Sequence, residues 1–179
     1  MSIGVISQSS FSARSNLRDL SIIRVSLICA QALGLVAFSQ FYRIGLPVEA
    51  LCWVLGGYST VAVFSWQRTR RVKPITDFEF FLHLLVDMLF FSLLLYFSGG
   101  ASNPFISYYL IPISISAITL PRRSTLLVTV AGLVAYSILL QHYVEISAIA
   151  PNVKLHSGHN LHITGMWVNF GLSAAIITC

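Results

Sequence analysis

Six long apolar runs decide what this chain can fold into. They lie at about 22–41, 47–66, 78–97, 104–120, 124–144 and 163–179. An apolar run of about 20 residues crosses the roughly 30 Å hydrocarbon layer as a helix, with its backbone polar groups satisfied internally. None of the runs alternates like a strand, and each is too uniformly apolar for a barrel. Composition agrees: 56% of residues are hydrophobic, 9% are charged, and mean hydropathy is +0.79. A soluble domain carries about 25% charged residues to keep its surface wet. The sequence therefore predicts an all-α polytopic membrane protein with six transmembrane helices in three hairpins. A cytoplasmic segment 1–21 precedes a single membrane domain over 22–179. Gly34, Gly56, Gly57, Ala131 and Ala135 are the expected close-packing residues between helices.

Positive charge sets the orientation. Arg14, Arg18 and Arg24 precede or open the first run; Arg68, Arg70, Arg71 and Lys73 separate the second and third. Arg122 and Arg123 separate the fourth and fifth, while only Arg43 and Lys154 fall on the other side. Cytoplasmic loops carry the Lys/Arg excess, so both ends are expected inside, as in a multi-pass protein of the bacterial inner membrane. The net charge of +5 is then a topology signal with a possible lipid-headgroup contact, and implies no nucleic-acid partner. The first eighteen residues have no apolar core of a cleaved signal peptide. Cys29, Cys52 and Cys179 sit at depths too different for disulfides and read as small buried hydrophobes.

Two features can carry chemistry. Glu79, His83 and Asp87 recur every fourth residue on the third run and share one helix face. Asp87 lies near the bilayer midplane, where a carboxylate is expensive and needs a partner; His83, one turn away, is the nearest candidate. A proton- or quinone-sensitive track and plain interhelical glue, with Ser65, Ser114 or Ser116 as hydrogen-bond partners, both remain open. The second feature is Ser98-Gly99-Gly100-Ala101-Ser102-Asn103-Pro104-Phe105 on the outer side. The glycines suit a helix end with positive φ, and Asn103-Pro104 reads as an N-cap and first helical residue. Free N–H groups beside the Phe105 ring would suit an aromatic carbonyl ligand, while a tight turn explains the same residues without one.

Gly99-Gly100-Ala101-Ser102-Asn103-Pro104-Phe105 resembles the GGxxNPF signature of the RegB/PrrB family of redox-sensing membrane histidine kinases. Leu84-Leu85-Val86-Asp87, Leu95-Tyr96-Phe97-Ser98 and Leu110-Ile111-Pro112 resemble that family too. The resemblance implies ubiquinone as the sensed ligand, with Gly99, Gly100, Asn103, Pro104 and Phe105 inheriting the binding role. It further implies a homodimer, and a cytoplasmic kinase region that uses ATP and signals to a response regulator. No phosphoacceptor histidine or ATP-binding pattern is present, so the kinase region is expected after residue 179, where a run of about 17 residues stops. No catalytic residue is assigned within the chain. The rival classes are a small transporter or channel using the Glu79–His83–Asp87 stripe, and a structural anchor.

The remaining histidines carry less. His156, His159 and His162 are expected in a solvated outer loop rather than at a metal. His83 and His142 differ in depth by roughly 15–20 Å at helical rise, too far to share a haem iron.

Overall fold

The computed structural model describes residues 3–41, 46–71, 75–144 and 156–178; the side chains of 3–14, 38, 41, 102, 104 and 156–163 lie outside the description. The described residues form six α-helices in order: α1 (Ile3–Phe41), α2 (Val48–Thr69), α3 (Asp77–Phe97), α4 (Leu110–Thr119), α5 (Arg122–Gln141) and α6 (His156–Thr178). No strand occurs among the described residues. Among the described residues, four segments are long and apolar enough to cross a membrane: Ser15–Ala37 within α1, α2, α3 and α5.

The fourth run is shorter and built differently. A 3₁₀ helix over Pro104–Tyr109 leads directly into α4. At about 2.0 Å per 3₁₀ residue and 1.5 Å per α residue, Pro104–Thr119 reaches about 27 Å, close to the hydrocarbon thickness. Tight winding thus lengthens a run that is short in residues.

Two boundaries differ from the sequence expectation. The apolar part of α1 starts at Ser15 rather than Ile22, which takes Arg18 into the span and sets Arg24 further along it. α6 starts at His156 rather than Ile163, so it has 23 residues rather than 17. His156, His159 and His162 therefore lie on the first turns of a helix, not in a loop. Arg43, Lys73, Lys154 and Cys179 fall outside the described residues.

Helix surfaces facing outward are apolar: Leu33, Trp53, Phe64, Phe78 and Ile118 are all exposed. In lipid such exposure carries no penalty, so packing, hydrogen bonds and ion pairs must hold the helices together. The main core joins Tyr58, Met88, Phe91, Tyr109, Ile113, Val128, Tyr136 and Phe170. Phe170 anchors α6 there, edge-on to Tyr136 at 5.3 Å and to Tyr109 at 6.2 Å between ring centroids. Polar contacts fasten α6 to α5 at two further levels. Trp167 Nε1 donates to Ser137 Oγ at 3.2 Å, and the hydroxyls of Thr129 and Thr178 are 2.8 Å apart.

Expectations for four packing residues change. Cys29 and Cys52 are exposed on the outer surface of the helices rather than buried. A Cβ on Gly34 or Gly56 would meet nothing within 4 Å, so these glycines mark no close approach. The tight positions are Gly57, where a Cβ would lie 3.2 Å from the Phe90 ring, and Gly132, 2.7 Å from Met88 Cε. Their neighbours come from α3, which a one-helix pattern does not reveal.

Candidate functional site

The bundle is layered where α1 and α2 meet α3. One apolar cluster joins Leu17 and Leu20 of α1 with Ile75, Phe80, Leu84 and Leu120. Toward the other end, Leu51 and Leu55 of α2 pack with Leu94. Between them lies a polar layer.

Its centre is Arg24, only 1% exposed, against Asp87, 4% exposed. Nε donates to Oδ1 at 2.6 Å and Nη2 to Oδ2 at 2.9 Å, a bidentate geometry that fixes the two planes together. Tyr58 Oη of α2 donates to Asp87 Oδ1 at 2.8 Å, and the guanidinium lies 5.9 Å from the Tyr58 ring centroid. Arg24 Nη1 also donates to Ser65 Oγ, and Nη2 reaches the His83 carbonyl at 3.4 Å. One guanidinium therefore ties α1 to α2 and α3 at once.

The Glu79–His83–Asp87 stripe does lie along one face, and each member meets a different residue of α1 or α2. Arg68 Nε is 2.6 Å from Glu79 Oε1, and its Nη2 donates to Oε2 at 2.9 Å. His83 Nδ1 is 3.4 Å from Ser65 Oγ. Asp87, at the deep end, takes Arg24 and Tyr58 as its partners rather than His83. The expected partner is displaced for a geometric reason: residues four apart on one helix point the same way, whereas Arg24 approaches from the facing helix. Of the serines considered as glue, Ser65 joins the layer; Ser116 Oγ bonds its own helix at the Ile113 carbonyl. The N-terminal end of α3 is closed by Thr76, whose hydroxyl accepts from Glu79 N at 3.2 Å.

The glycine corner follows the sequence closely. Gly99 and Gly100 have φ of 105° and 59°, conformations that L side chains rarely adopt. A Cβ on Gly100 would also sit 2.4 Å from Tyr143 Cβ and Cγ. Asn103, 6% exposed, is the N-cap of the 3₁₀ helix, with Oδ1 accepting from Phe105 N at 2.9 Å. Its Nδ2 donates to the Ser98 carbonyl and hydroxyl, both at 2.8 Å. Ile106 N donates to the Asn103 carbonyl at 3.1 Å.

The expected free N–H groups at this corner are therefore committed internally at Phe105 and Ile106, and Pro104 has none to offer. Gly99, Gly100 and Asn103 shape the turn. Among the described side chains of this corner, that of Phe105 faces outward, 47% exposed, with its ring 5.2 Å from that of Tyr108.

The fold and its polar layer define a polytopic helical membrane domain, and the comparisons agree. The PilS-like transmembrane domain family matches residues 10–174, and the chain belongs to that family. The chain is also 30% identical over 166 residues to the sensor histidine kinase RegB of Cereibacter sphaeroides, covering 90% of this chain and 33% of RegB. It thus spans about a third of the length of that relative. These matches make it a multi-pass domain of the bacterial inner membrane, of the RegB type. No solved structure matches it.

Proposed function

We propose that this chain is the membrane input domain of a sensor histidine kinase that responds to the redox state of ubiquinone. Both ends lie in the cytoplasm, and the domain acts as a homodimer. An ATP-dependent kinase region connected to α6 signals to a response regulator. The observation that carries the reading is the exposed Phe105 ring on a corner held rigid by Asn103, within a sequence that resembles the GGxxNPF signature. A quinone head stacked on Phe105 favours one packing of the bundle, and its differential affinity for the two packings shifts their populations.

The stripe supports this reading over a transporter or channel. Each of its three side chains is engaged by α1 or α2, which suits a packed layer better than a polar pathway. The test is autophosphorylation of the full-length protein in proteoliposomes with ubiquinone or ubiquinol. The rates should differ several-fold; equal rates would reject redox sensing.

A further inference from the structure

α6 presents two unlike faces. Phe170 and Ala174, 4% and 0% exposed, turn into the core. On the opposite side Gly165, Asn169, Leu172 and Ile176 are all exposed, Leu172 to 61% and Ile176 to 78%. These four follow one another at spacings of four, three and four, the pattern by which two helices share a seam. A Cβ on Gly165 would meet nothing within 4 Å, so the chain itself leaves this seam open.

Asn169 is out of place on such a surface. Trp167 bonds Ser137 and the Thr178 hydroxyl meets that of Thr129, so Asn169 is level with the stretch of α5 between those two residues, inside a membrane-spanning segment. An amide facing hydrocarbon is costly without a hydrogen-bond partner. Ser173 and Thr178 avoid that cost by donating to the backbone carbonyls of Asn169 and Ala174, one turn back on their own helix. The Asn169 amide makes no such bond, and none to it forms among the described residues. Its partner has to come from outside the chain.

We infer that this face of α6 is where two copies of the chain meet, with their Asn169 amides bonded to each other. The occupant follows from the chemistry of the amide, which carries both an acceptor oxygen and N–H donors. Two copies related by a two-fold axis therefore satisfy each other reciprocally, Nδ2 to Oδ1 in both directions. A side chain that only donates or only accepts could not do so. A single asparagine in an apolar seam also fixes register and oligomeric state, and Gly165 lets the two backbones approach closely. The inference rests on the homodimer proposed above and gives it a face. In that reading α6 leads on to the kinase region, so the crossing of two α6 helices carries a change in bundle packing toward it.

The test uses the full chain in membranes, with Cys29, Cys52 and Cys179 replaced and one cysteine introduced at a time. Leu172→Cys and Ile176→Cys should form disulfide-linked dimers on mild oxidation. Leu33→Cys, on the outward surface of α1 and 71% exposed, should not. Dimer affinity in liposomes, read by energy transfer between labelled copies on dilution with lipid, should fall about tenfold in Asn169→Leu, because a reciprocal pair of interhelical hydrogen bonds is lost. Leucine suits a lipid-facing position, so the fold survives that change. Dimers that link at Leu33→Cys but not at Leu172→Cys or Ile176→Cys, or an affinity unmoved by Asn169→Leu, would overturn this face while leaving the homodimer. Linkage of Leu172→Cys to a different membrane protein would overturn the second copy as occupant. Absence of any dimer would overturn both.

Discussion

Arg24 and Asp87, 63 positions apart in sequence, form a bidentate ion pair in the middle of the bundle, with Nε–Oδ1 at 2.6 Å and Nη2–Oδ2 at 2.9 Å. Removing one partner leaves a buried charge uncompensated, which costs about 3–5 kcal/mol. Asp87→Ala and Arg24→Ala should therefore each destabilise the domain by that amount in reversible unfolding from mixed micelles. Asp87→Asn should also be damaging, because an amide keeps a hydrogen bond but not the charge. Arg24→Met with Asp87→Leu should restore stability, since replacing a whole buried pair by apolar groups is often neutral or stabilising. Additive losses in the double variant would contradict the pairing.

Gly100 in the corner and Gly132 in α5 give a graded comparison. Gly100→Ala meets both a positive φ and the root of the Tyr143 side chain, neither of which yields easily. A cost of about 1–3 kcal/mol for the backbone conformation alone is expected. Gly132→Ala meets Met88 Cε, the free end of a flexible side chain that can turn aside. The thermal midpoint should fall further for Gly100→Ala; the reverse order would show that the corner is not packed as described.

Asn103 joins three groups: the Phe105 N–H and both oxygens of Ser98. Asn103→Asp keeps the capping oxygen and loses both donations to Ser98, while Asn103→Ala loses everything. Loss of an N-cap is worth about 1 kcal/mol. Asp should retain part of the stability and Ala none of it, read by hydrogen exchange at Phe105 and Ile106. Equal protection in the two variants would remove the cap from the account.

Much of this fold was legible because membrane helices announce themselves by length. The runs at 47–66 and 78–97 correspond to α2 and α3, and Gly99, Gly100 and Asn103 take the conformations their residue types favour. Arg24 was misread because a basic residue near the start of a span also serves as a cytoplasmic flank. The signal that would have found it is periodic. Leu17, Leu20, Ser21 and Arg24 recur at helical spacing and all are buried, while Ile22 and Ile23 between them and Val25 after them are exposed. Tyr58 was missed for a different reason. Its role depends on where α2 docks on α3, and no local pattern carries that.

Topology is tested by accessibility. With native Cys29, Cys52 and Cys179 replaced, cysteines placed at Arg70 and Arg123 should resist an impermeant thiol reagent in intact cells, and one at Ser157 should react. Arg70 and Arg123 are exposed, so protection there would come from the membrane and not from burial. The inverted labelling pattern would reject cytoplasmic ends.

The most direct measurement is binding of a short-chain ubiquinone analogue to the purified domain in nanodiscs, wild type against Phe105→Ala. Phe105 is exposed and its backbone cap comes from Asn103, so the substitution removes the stacking face while the turn survives. Stacking contributes about 0.5–1.5 kcal/mol beyond buried area, so affinity should fall by about two- to tenfold. Equal affinities, or no saturable binding to the wild-type domain, would contradict the assignment of Phe105 as the ring that receives the quinone.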